Sequence, residues 1–324
     1  MEEWCEMKIT DLAILFIIII LPFVQILRIQ SDNLQNTVYK NMTINRYLDT
    51  AVEDASEAMI VRGANQNLSI SRDKALAAFN NTLLTNFQVL GDETATNLLM
   101  AYIPVMILID YDGYWVCSME EYLNSDGDRE EKMIWKPKKP YSYESNDFVY
   151  LFTLDKNVRV LEISGNQVYE GTQENLKAIL HTEIIQQDGL FETVRKRTIV
   201  EAIEKDVNEA INKHNVYARR FGITYQFSPP TISDADWHNN IEDIGFLAFF
   251  QGIPIGIGGE RYNNFALGAS RIVRSYQYYI QQEPNGLLYY HRENCSQLTK
   301  KEEVYDTREE CALEGAFPCH ICKP

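Results

Sequence analysis

The stretch IPVMILIDYDGYWVCSM, residues Ile103–Met119, is where the chain changes period. Pro104–Asp110 is an apolar run of strand length. Tyr111-Asp112-Gly113 follows it, and Tyr114–Met119 reads as the return strand. Asp-Gly between two such runs signals a tight hairpin, because glycine readily takes the positive φ that these turns need.

Upstream the period is helical. Leu48, Ala51, Val52, Ala55 and Met59 recur at i, i+3, i+4, i+7 and i+11, while Asp49, Glu53, Asp54 and Glu57 supply charge. Gly63 is expected to end this helix. Ser71 is placed to cap a second one, with Leu76, Phe79, Leu83, Phe87 and Leu90 on its face. Downstream, Asn124–Glu131 (NSDGDREE) reads as a polar loop and Phe148–Leu154 as a strand. Val158–Ile163 and Gln167–Tyr169 pair across Ser164-Gly165-Asn166. Asn175–Gln187 and Phe191–His214 read as helices, and Ile223, Tyr225 and Phe227 as an alternating strand. Phe246–Phe250 (FLAFF) is apolar throughout, as a strand buried on both faces would be. Arg271–Gln281 and Leu287–His291 form a last hairpin. The expected fold class is α+β: a mainly antiparallel sheet head with packed helices.

Leu12–Leu27 (LAILFIIIILPFVQIL) is an uncharged run between Asp11 and Arg28. With its flanks it approaches the ~17–25 residues of a spanning helix. Four consecutive isoleucines and no polar face argue against a buried core helix. The acidic MEEWCEMK start and the Ile26-Leu27-Arg28 exit do not fit a cleaved signal peptide. The reading is an uncleaved signal anchor, kinked at Pro22 and contacting the lipid bilayer through Leu12–Leu27. The division is a tail at 1–9, a transmembrane anchor at 10–28, an α+β body at 29–286 and a zinc-binding tail at 287–324. The large part is expected outside the cytoplasm in a single-pass cell-membrane protein, since long domains translocate largely regardless of flanking charge.

Lys+Arg number 30 against 46 Asp+Glu, a net charge of −16 over 324 residues. Such a surface repels phosphate backbones, so no nucleic-acid partner is expected. The two short basic stretches, Arg195–Arg197 and Lys136–Lys139, read as solvated faces. No H-E-x-x-H or G-x-S-x-G occurs, and the chain is expected not to be an enzyme. His181, His214 and His238 have no evident catalytic partner in sequence. Asp234, Asp236 and His238 read as a polar turn, and Gly252–Gly259 (GIPIGIGG) as a loop of close backbone approach, not a nucleotide fingerprint.

The chemistry concentrates at the end. Of six cysteines, Cys295, Cys311, Cys319 and Cys322 lie in the tail. His291-x3-Cys295 and Cys319-x2-Cys322 supply one imidazole and three thiolates, the donor set of a closed tetrahedral zinc site. Four such ligands leave no open position, so Zn2+ here is expected to be structural. A short helix over Thr307–Leu313, ended by Gly315, leads to the Pro318 knuckle. Disulfide pairing is the alternative use of these thiols, and a thioredoxin-like role lacks its βαβ setting.

YHRENCSQL…EECALEGAFPCHICKP resembles a small zinc-binding tail of some secreted bacterial nucleases and surface proteins. It is similar to the metal-binding module of the alkylation-repair protein family. The resemblance implies ligation by His291, Cys295, Cys319 and Cys322, with Cys311 standing where such tails carry a small residue. DLAILFIIIILPFVQIL…YLDTAVEDASEAM resembles TadE-like, minor-pilin-like single-pass proteins of conjugative elements, without a Gly-Phe cleavage site or a Glu at the fifth apolar position. That implies a pilin-like component of a secretion, conjugation or surface apparatus, with protein partners or self-assembly. Met106–Val116 also looks like a hairpin of membrane-tethered sensor domains, which implies a ligand-binding module instead.

Overall fold

The computed structural model describes residues 9–62, 68–123, 125, 127, 129–228, 243–270, 278–283, 286–292, 295–300, 304–305 and 308–322. The chain forms two compact units, 1–270 and 271–324. The sequence reading closes the body at 286. Compactness instead divides the chain at Ser270/Arg271, so both strands of the last hairpin belong with the tail.

The first unit opens on α1 (Ile9–Ala58), a continuous helix of 50 residues with Pro22 inside it. At 1.5 Å per residue it is about 75 Å long. Its two ends have different surroundings. The described side chains from Ala13 to Asp32 are exposed, including Phe16, Ile17, Ile18, Phe23 and Ile26. Leu48, Ala51, Val52, Ala55 and Met59 are buried to 1 % exposure or less. The small-residue stripe thus serves close packing: Ser56 Oγ donates to the Gly268 carbonyl at 2.8 Å, and a Cβ at Gly268 would lie 2.5 Å from that hydroxyl. The helix stops at Ala58, ahead of a small hairpin of β1 (Ile60–Arg62) and β2 (Leu68–Ile70); Gly63 lies outside the described residues.

Helix α2 (Arg72–Asn86) is capped by Ser71, whose side chain accepts from the Lys74 N–H. It buries Ala75, Phe79, Leu83 and Leu84 and packs on α1. Leu90, expected on its face, is exposed beyond its end, and a separate α3 (Glu93–Met100) follows. Next come β3 (Val105–Asp110) and β4 (Gly113–Leu123), paired from Val105/Ser118 to Asp110/Gly113 across a turn of Tyr111 and Asp112, so Gly113 opens the return strand and is not part of the turn. The chain then forms β5 (Arg129–Trp135), a four-stranded meander β6 (Tyr141–Ser145), β7 (Phe148–Phe152), β8 (Asn157–Glu162) and β9 (Gln167–Thr172), and helices α4 (Gln173–Lys177), α5 (Glu183–Gln186) and α6 (Asp188–Ala218). β10 (Ile244–Pro254) and β11 (Arg261–Ser270) complete a five-stranded antiparallel sheet of order β11-β10-β3-β4-β5.

β10 and β3 are the centre of this unit. Phe246, Leu247, Ala248, Phe249 and Phe250 are fully buried, as are Val105–Ile109. Helix α1 packs on β11 and β10, and α6 packs on β3, β4 and β6. Phe246 meets Phe79 and Trp135, and Phe250 meets Phe87, Tyr102 and Tyr262.

Several expectations are corrected. Asn175–Gln187 is not one helix: α4 and α5 are separated at Ala178–Thr182. Arg129–Glu131 belongs to β5, not to a polar loop. Ile223–Phe227 is not a strand of any sheet among the described residues. Its backbone is held by Asn215, whose amide accepts from the Phe227 N–H at 2.7 Å and donates to its carbonyl at 3.0 Å. Arg195 is not on a solvated face. It is 3 % exposed and donates to the Thr153 and Leu154 carbonyls, while Glu192 balances its charge. Lys139 and Tyr114 meet the buried Asp206 carboxylate at 2.8 Å each. His214 is buried, with Nε2 2.8 Å from the Ala101 carbonyl, and burial lowers its pKa against that bond. Asp234, Asp236 and His238 lie outside the described residues.

Candidate metal centre

The second unit is built on β12 (Tyr278–Gln282) and β13 (Leu288–Arg292), an antiparallel pair. β14 (Val304–Tyr305) extends it beside β12; α7 (Arg308–Leu313) follows, and β15 (Phe317–Pro318) runs parallel to β13. Its apolar core is small: Tyr278, Tyr290, Cys311 and Ala316, with Ile280, Leu288 and Tyr305 packed around them.

Strand alternation makes the site. Leu288 and Tyr290 point into that core, so His291 lies on the other face of β13. Cys295 follows on a turn closed by the Leu298 N–H on its carbonyl. Gly315, with φ 76°, ends α7 in the left-handed conformation that glycine adopts without strain. The chain then pairs Tyr289 with Phe317 and Tyr290 with Pro318, and the Cys319 N–H bonds the Tyr290 carbonyl at 3.1 Å. That register sets Cys319 beside His291.

The ligand atoms of His291, Cys295, Cys319 and Cys322 all lie within 4.8 Å of one another. His291 Nδ1 is 3.3 Å from Cys295 Sγ, which is 3.9 Å from Cys319 Sγ. Zn–S bonds of about 2.3 Å at a tetrahedral angle place two sulfurs about 3.8 Å apart. The spacing therefore fits one ion and is far beyond the ~2.05 Å of a disulfide. His291, Cys295 and Cys319 are buried, and Cys322 is partly exposed. His320, between the two knuckle cysteines, is exposed and outside the cluster.

The electrostatics suit a metal. Burial lowers the His291 pKa, opposed by Glu283, which favours the neutral imidazole that a metal needs. Burial pushes the Cys319 thiol up, but bonds from the Cys322 and Ile321 backbone and neighbouring thiols outweigh it, so its pKa is lowered. The Ile321 N–H lies 3.4 Å from that sulfur. His291 Nε2 is buried with no partner among the described residues. Cys311 behaves differently: it is fully buried in the apolar core, burial and then Glu310 push its pKa up to about 11, and it is not among the four. Cys117 is likewise a core thiol in β4, raised to about 12 by burial.

Sequence reasoning named all four clustered residues. It missed the strand pairing that brings them together, because a two-residue β15 carries no periodic signal. It also missed the Tyr114–Asp206–Lys139 group, whose members are far apart in sequence and meet only through the fold. Comparison with known protein families, curated proteins and solved structures gives no match to this chain.

Proposed function

We propose that this chain is a membrane-anchored structural or assembly protein, pilin-like in plan, with its α+β body outside the cytoplasm and a structural zinc ion in its tail. The observation that carries the reading is the division of α1. One unbroken helix has an apolar, exposed N-terminal part and a C-terminal part built into the core of the first unit. It is the one helix among those described that is long and apolar enough to cross a membrane. Such a rigid stem holds a body at a fixed height above a bilayer and offers itself for lateral packing. In the zinc site His291, Cys295, Cys319 and Cys322 would take all four positions, and the ion would supply cohesion, not catalysis. Cross-linking in the native membrane tests the assembly role. A ladder of copies, or co-purification with a secretion machine, is the expected result; a strict monomer contradicts it.

A sensor-like reading is favoured by one feature. Tyr111 and Asp112 of the hairpin turn line a cavity of about 490 Å³ with Asn157, Arg159 and Glu170. Its charges are already engaged: Lys138 bridges Asp110 and Asp112 over the Trp115 ring, and Arg159 pairs with Glu170. A ligand that raises the melting temperature of the wild type but not of Arg159→Ala would favour it.

A further inference from the structure

The β10–β11 hairpin runs along α1 toward its apolar end. Three contacts give the direction. Ser56 bonds the Gly268 carbonyl, Asn45 accepts from Tyr262 and Asn264 at 2.6 and 2.9 Å, and the Ile257 N–H donates to Asn33 Oδ1 at 3.1 Å. From Ser56 back to Asn33 the helix advances about 34 Å. From Gly268 back to Arg261, β11 covers about 23 Å of that distance, and the turn at 255–260 carries the chain on to Ile257. β11 lies beside the stem, and the Ile257–Asn33 bond sets the tip of the turn level with Asn33. Asn33 is also the first residue of α1 to lose exposure; the described side chains before it are exposed.

The tip has an unusual composition for so exposed a place. Pro254–Gly259 (PIGIGG) contains no polar side chain. Ile255 is buried, whereas Ile257 is 86 % exposed. The glycines let the turn fold tightly: a Cβ at Gly256 would fall on the Glu260 carboxylate and 2.8 Å from Thr37 Oγ1. The backbone is thereby fastened to the stem, and the isoleucine side chain stands in solvent with nothing of the first unit over it.

We propose that this tip is a second membrane contact, with Ile257 set into the outer part of the headgroup layer. The proposal rests on Leu12–Leu27 being the membrane span. Asn33 lies five residues beyond Arg28, about 7.5 Å along the axis. The headgroup layer outside the ~30 Å hydrocarbon core is about 5–8 Å deep on each side. A tip fastened at Asn33 therefore reaches the bilayer surface whenever the helix spans. Asp32 and Glu260 flank it, so the attraction is apolar burial and needs no anionic lipid. Two contacts, one helix and one loop tip, fix how the first unit is oriented on the membrane, which a single helix leaves free to rotate.

The test is photo-cross-linking of the full chain in phosphatidylcholine vesicles, with p-benzoylphenylalanine replacing Ile18, Ile257 or Ile163 in turn. Ile18 reports the span, and Ile163 is an exposed isoleucine in the β8–β9 turn of the separate four-stranded sheet. Lipid adducts at 18 and 257, and none at 163, are expected. A lipid adduct at 18 without one at 257 overturns the second contact and leaves the span intact. No adduct at 18 overturns the span and the inference with it. Capture of a second copy by 257 in place of lipid, or lipid adducts at all three positions, also overturns it.

Discussion

The two units of this chain reach order by different means. The first buries a continuous apolar interior: five consecutive residues of β10 and five of β3 are fully buried under long helices. Among the described residues of the second, four buried side chains form the apolar core, and Cys311 is one of them. A cluster of four side chains stabilises little against an ordering cost of roughly 1–2 kcal/mol per residue. The tail gathers one imidazole and three thiols beside its small apolar cluster, whereas the first unit is held by extensive apolar burial.

Metal removal should break the comparison most sharply. Chelation, or Cys319→Ser, is expected to unfold the tail alone, with a loss on the order of 10 kcal/mol. Hydrogen exchange then shows protection lost at Tyr290 and retained at Ile107. Next in size is Phe246→Ala, expected to cost the first unit about 3–5 kcal/mol by leaving a cavity between Phe79 and Trp135. Denaturant unfolding measures it, and the tail's metal content should not change. Tyr114→Phe removes a donor to the buried Asp206 carboxylate and should cost about 1.5 kcal/mol in the same assay. Smallest is Cys311→Ala, a core truncation expected to cost about 1 kcal/mol in the tail with full metal retention. Loss of metal in that variant would make Cys311 a ligand and redraw the site.

Legibility in the sequence followed the same division. Periodicity is strong where burial is extensive, so the Leu48–Met59 stripe, the Ser71 cap, the Asp-Gly hairpin and the buried FLAFF strand were all readable. β11 was not, because Arg261–Ser270 mixes adjacent asparagines, glycine and small residues, and its state is decided by β10 and α1 beside it. Ile223–Phe227 had the alternation of a strand, but Asn215 takes both backbone groups of Phe227 at its end. Arg195 looked solvated among charged neighbours because nothing local reveals that two carbonyls of the β7–β8 connection wait for it. In the tail the donor residues were explicit, since metal chemistry admits few side chains. Their assembly was not, because it depends on the parallel register of Tyr289/Phe317 and Tyr290/Pro318.

His291, Cys295, Cys319 and Cys322 are proposed to hold one structural ion. Metal analysis of the reduced, full-length protein purified without chelators tests it directly. One zinc per chain in the wild type and none in Cys319→Ser is the predicted result. A metal-free wild type whose tail amides remain protected from exchange would contradict it.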